Sequence, residues 1–134
     1  MLKVFCDGGS RGNPGHAAYG FVIEKNGQVL KEGRGYIGEA TNNFAEYTAI
    51  AKAFEWLSDN KTGDELEVFL DSLLAVSQLN GVYKVKNPII REFVLKIRGL
   101  ENSFSKITYR HIPRVQNQHA DKLVNIALDQ YYGT

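Results

Sequence analysis

The sequence holds one cysteine, Cys6, so no internal disulfide can form and a disulfide-stapled secreted scaffold is excluded. That usage suits a reducing compartment. No apolar run approaches the roughly 20 residues that span a bilayer. No basic stretch followed by a signal-like apolar core opens the chain either, because Asp7 interrupts the first apolar run. The expected location is therefore cytoplasmic, with no membrane contact. Charge of one sign is also missing: 16 Lys and Arg against 15 Asp and Glu leave a net charge of +1. Any polyanion site has to come from local clustering, not from the field of the whole molecule. Repeats, low-complexity tracts and linkers are absent. The 134 residues, 43% of them apolar, are expected to form one domain, residues 1–134, with a self-sufficient core.

What is present is organised around Leu2-Lys3-Val4-Phe5-Cys6-Asp7-Gly8-Gly9-Ser10-Arg11-Gly12-Asn13-Pro14-Gly15. A strand-like run, Leu2–Cys6, ends on the carboxylate of Asp7 and breaks into glycines, which predicts an open, backbone-rich loop beside a rigid strand. Such a rim suits a metal-binding or catalytic acid; an ordinary Asp-Gly turn fits as well. No Gly-Lys-Ser/Thr follows, which disfavours a nucleotide-binding glycine loop.

Two further strands are expected, Ala17–Glu24 and Val29 to Ile37, joined by the Asn-Gly turn at Asn26-Gly27. The capping cluster Thr41-Asn42-Asn43 precedes a helix from Phe44 to Ser58, whose buried face carries Tyr47, Ile50, Phe54 and Leu57. Glu46 lies on an edge of that face. It is either a solvated first-turn acid favoured by the helix dipole or a carboxylate leaning toward the core, which then needs a partner or a metal. After a polar turn, Asp59 to Asp64, the strand Glu65–Leu70 ends at Asp71-Ser72 before the helix Leu73 to Leu79. Strand, helix and strand in that order imply a parallel, right-handed crossover. Asp71 then either caps the helix or emerges at the carboxyl end of a strand parallel to the first, where α/β sheets bind ligands. Another helix runs from Ile89 to Arg98, a last strand from Ser105 to Ile112, and a final helix from Asn117 to Tyr131. Asp121 borders the apolar stripe of the last helix, and an ordinary solvated helix residue, the more frequent case, fits the pattern as well. Local basic clustering exists at Lys84, Lys86, Arg91, Lys96 and Arg98, with Arg110, Arg114 and Arg11 elsewhere.

Asp7, Glu46, Asp71 and Asp121 come from four separate elements that the topology can bring to one rim. Four acids in one pocket repel each other and raise each other's pKa values unless cations neutralise them. Their oxygens suit hard ions such as Mg²⁺ or Mn²⁺. Two ions about 4 Å apart can clamp a phosphodiester, one activating water and the other stabilising the leaving oxygen.

The segments Asp7–Gly15, Thr41-Asn42-Asn43-Phe44-Ala45-Glu46, Asp71-Ser72 and Asn117-Gln118-His119-Ala120-Asp121, in this order and spacing, resemble those of type 1 ribonuclease H. The resemblance covers essentially the whole chain. It implies an α/β fold, ribonuclease H-like: a five-stranded mixed sheet of order 3-2-1-4-5, strands 1-2-3 antiparallel and 1-4-5 parallel, with helices on its faces. It implies Mg²⁺-dependent endonucleolytic cleavage of the RNA strand of an RNA–DNA hybrid (Mn²⁺ being an alternative), with two ions per site, 5′-phosphate and 3′-hydroxyl products, and no required protein partner. Asp7, Glu46, Asp71 and Asp121 match the family's metal-binding catalytic carboxylates, with Glu46 near the RNA 2′-hydroxyl. Gly8, Asn13, Thr41, Asn42, Asn43 and Ser72 match substrate-holding positions, Thr41 and Asn13 near a DNA-strand phosphate. Recognition through groove shape, 2′-hydroxyls and phosphates fits a nearly neutral protein.

The chain departs from the pattern in places. Leu73 stands where family members commonly place a Gln that reaches base edges. The loop before Asp121 carries Arg114 where well-studied relatives have a His; Arg114 is expected to attract phosphate, and His111 and His119 to stand apart. Only Val82 to Pro88 stands where some relatives have a basic protrusion, and no hybrid-binding domain is expected before Met1. This short form is expected to bind substrate weakly and with strong salt dependence.

Overall fold

In the computed structural model the described residues are 1–62 and 64–131. Residue 63, within the predicted polar turn, lies outside them. The elements are β1 (Leu2–Gly12), β2 (Gly15–Lys25), β3 (Gln28–Ala40), α1 (Asn42–Asp59), β4 (Glu65–Leu70), α2 (Leu73–Leu79), α3 (Pro88–Glu101), β5 (Lys106–His111) and α4 (Gln118–Tyr131). The sheet order is β3-β2-β1-β4-β5. β1, β2 and β3 pair antiparallel, while β1, β4 and β5 pair parallel. The implied fold class is thus the observed one. No helix among the described residues is long and apolar enough to cross a membrane.

Local chemistry sets the boundaries. Asn26 and Gly27 both have positive φ, as a tight two-residue hairpin requires. Thr41 caps α1, its Oγ1 accepting from the Phe44 amide at 3.1 Å. Asn87 caps α3, and Pro88 fills the first helical position, where a missing N–H costs nothing. One face of the sheet packs beneath α1, where Ile50, Phe54 and Leu57 meet Leu2, Val4, Leu66, Val68 and Leu70 in the main core. The other face is covered by α4 through a small separate cluster: Ala18, Val124, Ala127 and Leu128.

One expectation is corrected here. The glycine-rich stretch after Asp7 is not an open loop. β1 continues through it, pairing with β2 from Gly8↔Tyr19 to Gly12↔Gly15, and only the turn between those strands is free. The first strand therefore ends at Gly12, not Cys6. The glycines answer to helix packing. A Cβ on Gly8 would lie 2.1 Å from the Ala45 carbonyl carbon in α1, so only a hydrogen lets that helix settle on the strand. Gly20, opposite Asp7 on β2, does the same for α4, with the Ala120 carbonyl oxygen 2.7 Å from the would-be Cβ.

Candidate active site

The parallel ladder between β1 and β4 ends at the rung Cys6↔Leu70. The next residues on the two strands, Asp7 and Asp71, emerge side by side as the strands part. This is the crevice at the carboxyl ends of parallel strands where α/β proteins place ligands. Because α1 rests on Gly8, Glu46 lands beside them. Oxygens of Asp7, Glu46 and Asp71 lie within 4.8 Å of one another. Asp121, in the first turn of α4, lines the same cleft of about 490 Å³. All four predicted acids thus share one site.

The open readings resolve individually. Glu46 is no solvated first-turn residue: it lies beyond the first turn and is 7% exposed. Asp71 does not cap α2. Ser72 does, its Oγ accepting from the Ala75 amide at 3.2 Å, which leaves Asp71 at the cleft. Asp121 is half-buried.

Concentrated acid has the electrostatic consequence expected of it. Burial, then the charge of Asp71, pushes Asp7 up to about 7, and Asp121 adds to the rise through charge and hydrogen bonding. Burial also raises Glu46 well above the ordinary carboxylate range, followed by the charges of Asp7 and Asp71. The nearness of the two carboxyl groups raises Glu46 and lowers Asp7, and the two titrate as a pair. The nearby Gly8 backbone amide partly offsets the rise at Glu46. Cys6, directly beneath, is buried and its thiol is pushed up as well, which keeps it protonated and inert.

These acids suit a hard cation. Glu46 Oε2 is buried with no hydrogen-bond partner, an arrangement costly for a carboxylate unless a cation supplies the missing interaction. Three converging carboxylates form an all-oxygen donor set of the kind that Mg²⁺, Mn²⁺ and Ca²⁺ prefer over softer metals.

The polar wall of the cleft includes Gly8, Asn13, Asn42, Asn43, Ser72 and Arg114. Thr41, exposed, stands outside the lining set at the head of α1. Several of these side chains also hold the structure together. Asn42 Oδ1 accepts from the Ser10 amide at 2.8 Å, and Asn13 Oδ1 accepts from the Asn42 amide at 3.0 Å. Neither His111 nor His119 lines the cleft. His119 sits against Glu32 of β3. Half of the predicted basic residues are occupied: Lys96 pairs with Glu55, Arg98 with Glu101, Arg110 with Glu67 and Arg11 with Asp129. Among the described residues no ion pair holds Lys84, Lys86 or Arg114.

A family model described as reverse transcriptase-like matches residues 5–127. The solved structure of LC11-RNase H1 in complex with an RNA/DNA hybrid aligns with a TM-score of 0.93 at 43% identity, covering 98% of this chain and 99% of that one. The chain belongs to the type 1 ribonuclease H family. Another ribonuclease H, from Acidithiobacillus ferrooxidans, is 31% identical over 147 residues, covering 98% of this chain and 89% of that protein. Ribonuclease HI of Halobacterium salinarum is 41% identical, the match covering 96% of this chain and 64% of the relative. The chain spans 35% of the length of the first mycobacterial relatives it matches.

Set within the ribonuclease H fold, one buried polar residue at the site had escaped individual notice. Asn117, 1% exposed, donates from Nδ2 to the Cys6 carbonyl at 2.8 Å and to Asp71 Oδ2 at 3.2 Å. The sequence pattern makes it the first residue of the last helix, whereas α4 begins one residue later, at Gln118. The signal available was its place in the segment that ends in Asp121.

Proposed function

We propose that this chain is an endonuclease hydrolysing the RNA strand of RNA–DNA hybrids, a single catalytic domain over residues 1–134 that requires divalent metal and leaves 5′-phosphate and 3′-hydroxyl ends. The observation that carries the proposal is the convergence of Asp7, Glu46, Asp71 and Asp121 on one cleft, with a buried Glu46 oxygen lacking any partner. A protein that only bound nucleic acid would gain nothing by turning concentrated negative charge toward phosphates. These four residues would hold two Mg²⁺ ions, or Mn²⁺. When bound, the ions supply activation of water and charge stabilisation at the leaving oxygen.

The protein's own residues set out the substrate track. Thr41 Oγ1, Ser72 Oγ, Asn13 Oδ1 and Asn42 Oδ1 each accept a hydrogen bond from a backbone amide of the protein. What those groups keep for a ligand is their O–H or NH₂. This is a wall of donors, matched to the phosphate oxygens and 2′-hydroxyls that dominate recognition of a hybrid. Arg114 adds a cation at the edge of the cleft, where it draws a phosphate without acting as a base. Leu73, exposed at the head of α2, offers base edges no hydrogen bond. A cytoplasmic setting, suited to the free thiol of Cys6, completes the proposal.

The test is incubation with Mg²⁺ or Mn²⁺ and labelled RNA–DNA hybrid, duplex DNA or duplex RNA, with Asp71→Asn in parallel. Cleavage of the hybrid alone, lost in the variant, is expected. Hybrid bound but not cut, or cleavage of duplex DNA in its place, overturns the proposal.

A further inference from the structure

Asn117 touches three of the elements that build the site. Its side-chain NH₂ has two hydrogens, and both are engaged. One goes to the carbonyl of Cys6, on the last rung of the parallel ladder, and the other to Asp71 Oδ2. Its backbone carbonyl accepts from the Asp121 amide at 3.1 Å, opening α4. The amide cannot be reversed, because Oδ1 would then face two acceptors. In the observed orientation Oδ1 is buried and has no hydrogen-bond partner, a penalty that an apolar residue would avoid. Packing therefore does not account for an asparagine here.

We infer that Asn117 is a positioning residue: it fixes one oxygen of Asp71 so that the other is presented to the ion site, and it ties that carboxylate to the start of the helix carrying Asp121. A neutral amide suits the task. Lys or Arg in its place would orient Asp71 as well, but would neutralise the carboxylate and repel a cation. Groups that hold metal ligands from behind typically change metal affinity or activity by 10–100-fold when removed. The inference rests on the reading of Asp71 as an ion ligand.

Asn117→Ser and Asn117→Ala test it. Serine is a good N-cap, so it preserves the start of α4 while losing the reach to Cys6 and Asp71. Mn²⁺ binding is measured on the whole protein without substrate by calorimetry and electron paramagnetic resonance, together with thermal melting and the Mg²⁺ dependence of hybrid cleavage. The expected result for Asn117→Ser is a melting temperature near that of the parent, ion affinity at least about tenfold weaker, and a matching rise in the Mg²⁺ needed for half-maximal cleavage, with the rate largely recovered at saturating Mg²⁺. In an Asp71→Asn background the serine substitution should weaken ion binding no further. Parental ion affinity in Asn117→Ser, or an undiminished effect in the Asp71→Asn background, overturns the inference while leaving the nuclease reading intact. Ion binding that weakens as expected in a protein that cuts no hybrid upholds the inference and overturns the nuclease reading.

Discussion

Helices α1 and α4 each deliver one acid to the cleft, and each reaches the sheet over a glycine, but they are held there by different means. α1 buries ten residues, Glu46 among them, and shares its core with α2, α3 and the central strands. α4 buries five residues, mostly small ones, and its cluster with Ala18 stands apart from the main core. Glu46 is therefore anchored by the bulk of the fold, whereas Asp121 depends on a patch of limited apolar area. Local opening free energies follow the buried contacts an element makes. The contrast leads us to expect that α4 opens before the rest of the fold, so that Asp121 is the first carboxylate the site loses.

The most damaging way to probe the contrast is to fill the two glycine contacts. In Gly8→Ala the new methyl meets the Ala45 backbone at 2.1 Å, and α1 has to lift from the core. The expected loss is about 3 kcal/mol or more in denaturant melts. In Gly20→Ala the obstruction is the Ala120 carbonyl at 2.7 Å and Leu123 Cβ at 2.9 Å, so α4 shifts instead. A smaller loss, about 1–3 kcal/mol, is expected in melts, while hybrid cleavage falls about 100-fold because Asp121 is displaced. Equal stability losses in the two variants would erase the distinction between the helices.

Acidity offers the next test. An acid whose folded-state pKa is raised binds its proton more readily in the native state than in the unfolded chain, so stability falls as pH rises between the two values. With Asp7 at about 7 against an ordinary 3.8, its contribution should make the metal-free protein lose stability from about pH 4 to about pH 7. Glu46 acts in the same direction. Asp7→Asn should flatten the profile and melt later than the parent at neutral pH without metal, while cutting no hybrid. Thermal melts across pH, with and without Mg²⁺, read this out. A parent profile that rises through this window would show that the acids are not the strained part of the fold.

The smallest effect belongs to the surface. Arg11 and Asp129 join the end of β1 to α4 at 2.7 Å, both partly exposed. Arg11→Ala should cost at most about 1 kcal/mol, an amount that shrinks with added salt.

Local signals in the sequence were enough for much of this architecture. Thr41 as a cap, Asn26-Gly27 as a hairpin turn and the strand–helix–strand order around Asp71 each rest on residues close in sequence, and each is where local chemistry puts it. The four acids were individually ambiguous and became informative only as a set. What escaped depended on distant contacts. Gly8 and Gly9 look like loop residues by composition, yet Gly8 is a strand residue whose missing side chain makes room for Ala45, a requirement set far along the chain. Asn117 looks like the first residue of the last helix, and only the folded sheet reveals Cys6 and Asp71 within its reach. The basic cluster shows the same limit, since Arg98 and Arg110 are occupied by Glu101 and Glu67, partners that charge counting does not choose.

The pair Asp71-Ser72 has a consequence of its own. Helix α2 begins with bare amides, and the Ser72 hydroxyl satisfies the one from Ala75. Remove that oxygen and the nearest acid able to quiet those amides is its neighbour, Asp71. Besides offering its O–H to a ligand in the cleft, Ser72 would thus guard the site by keeping the helix from capturing one of its acids.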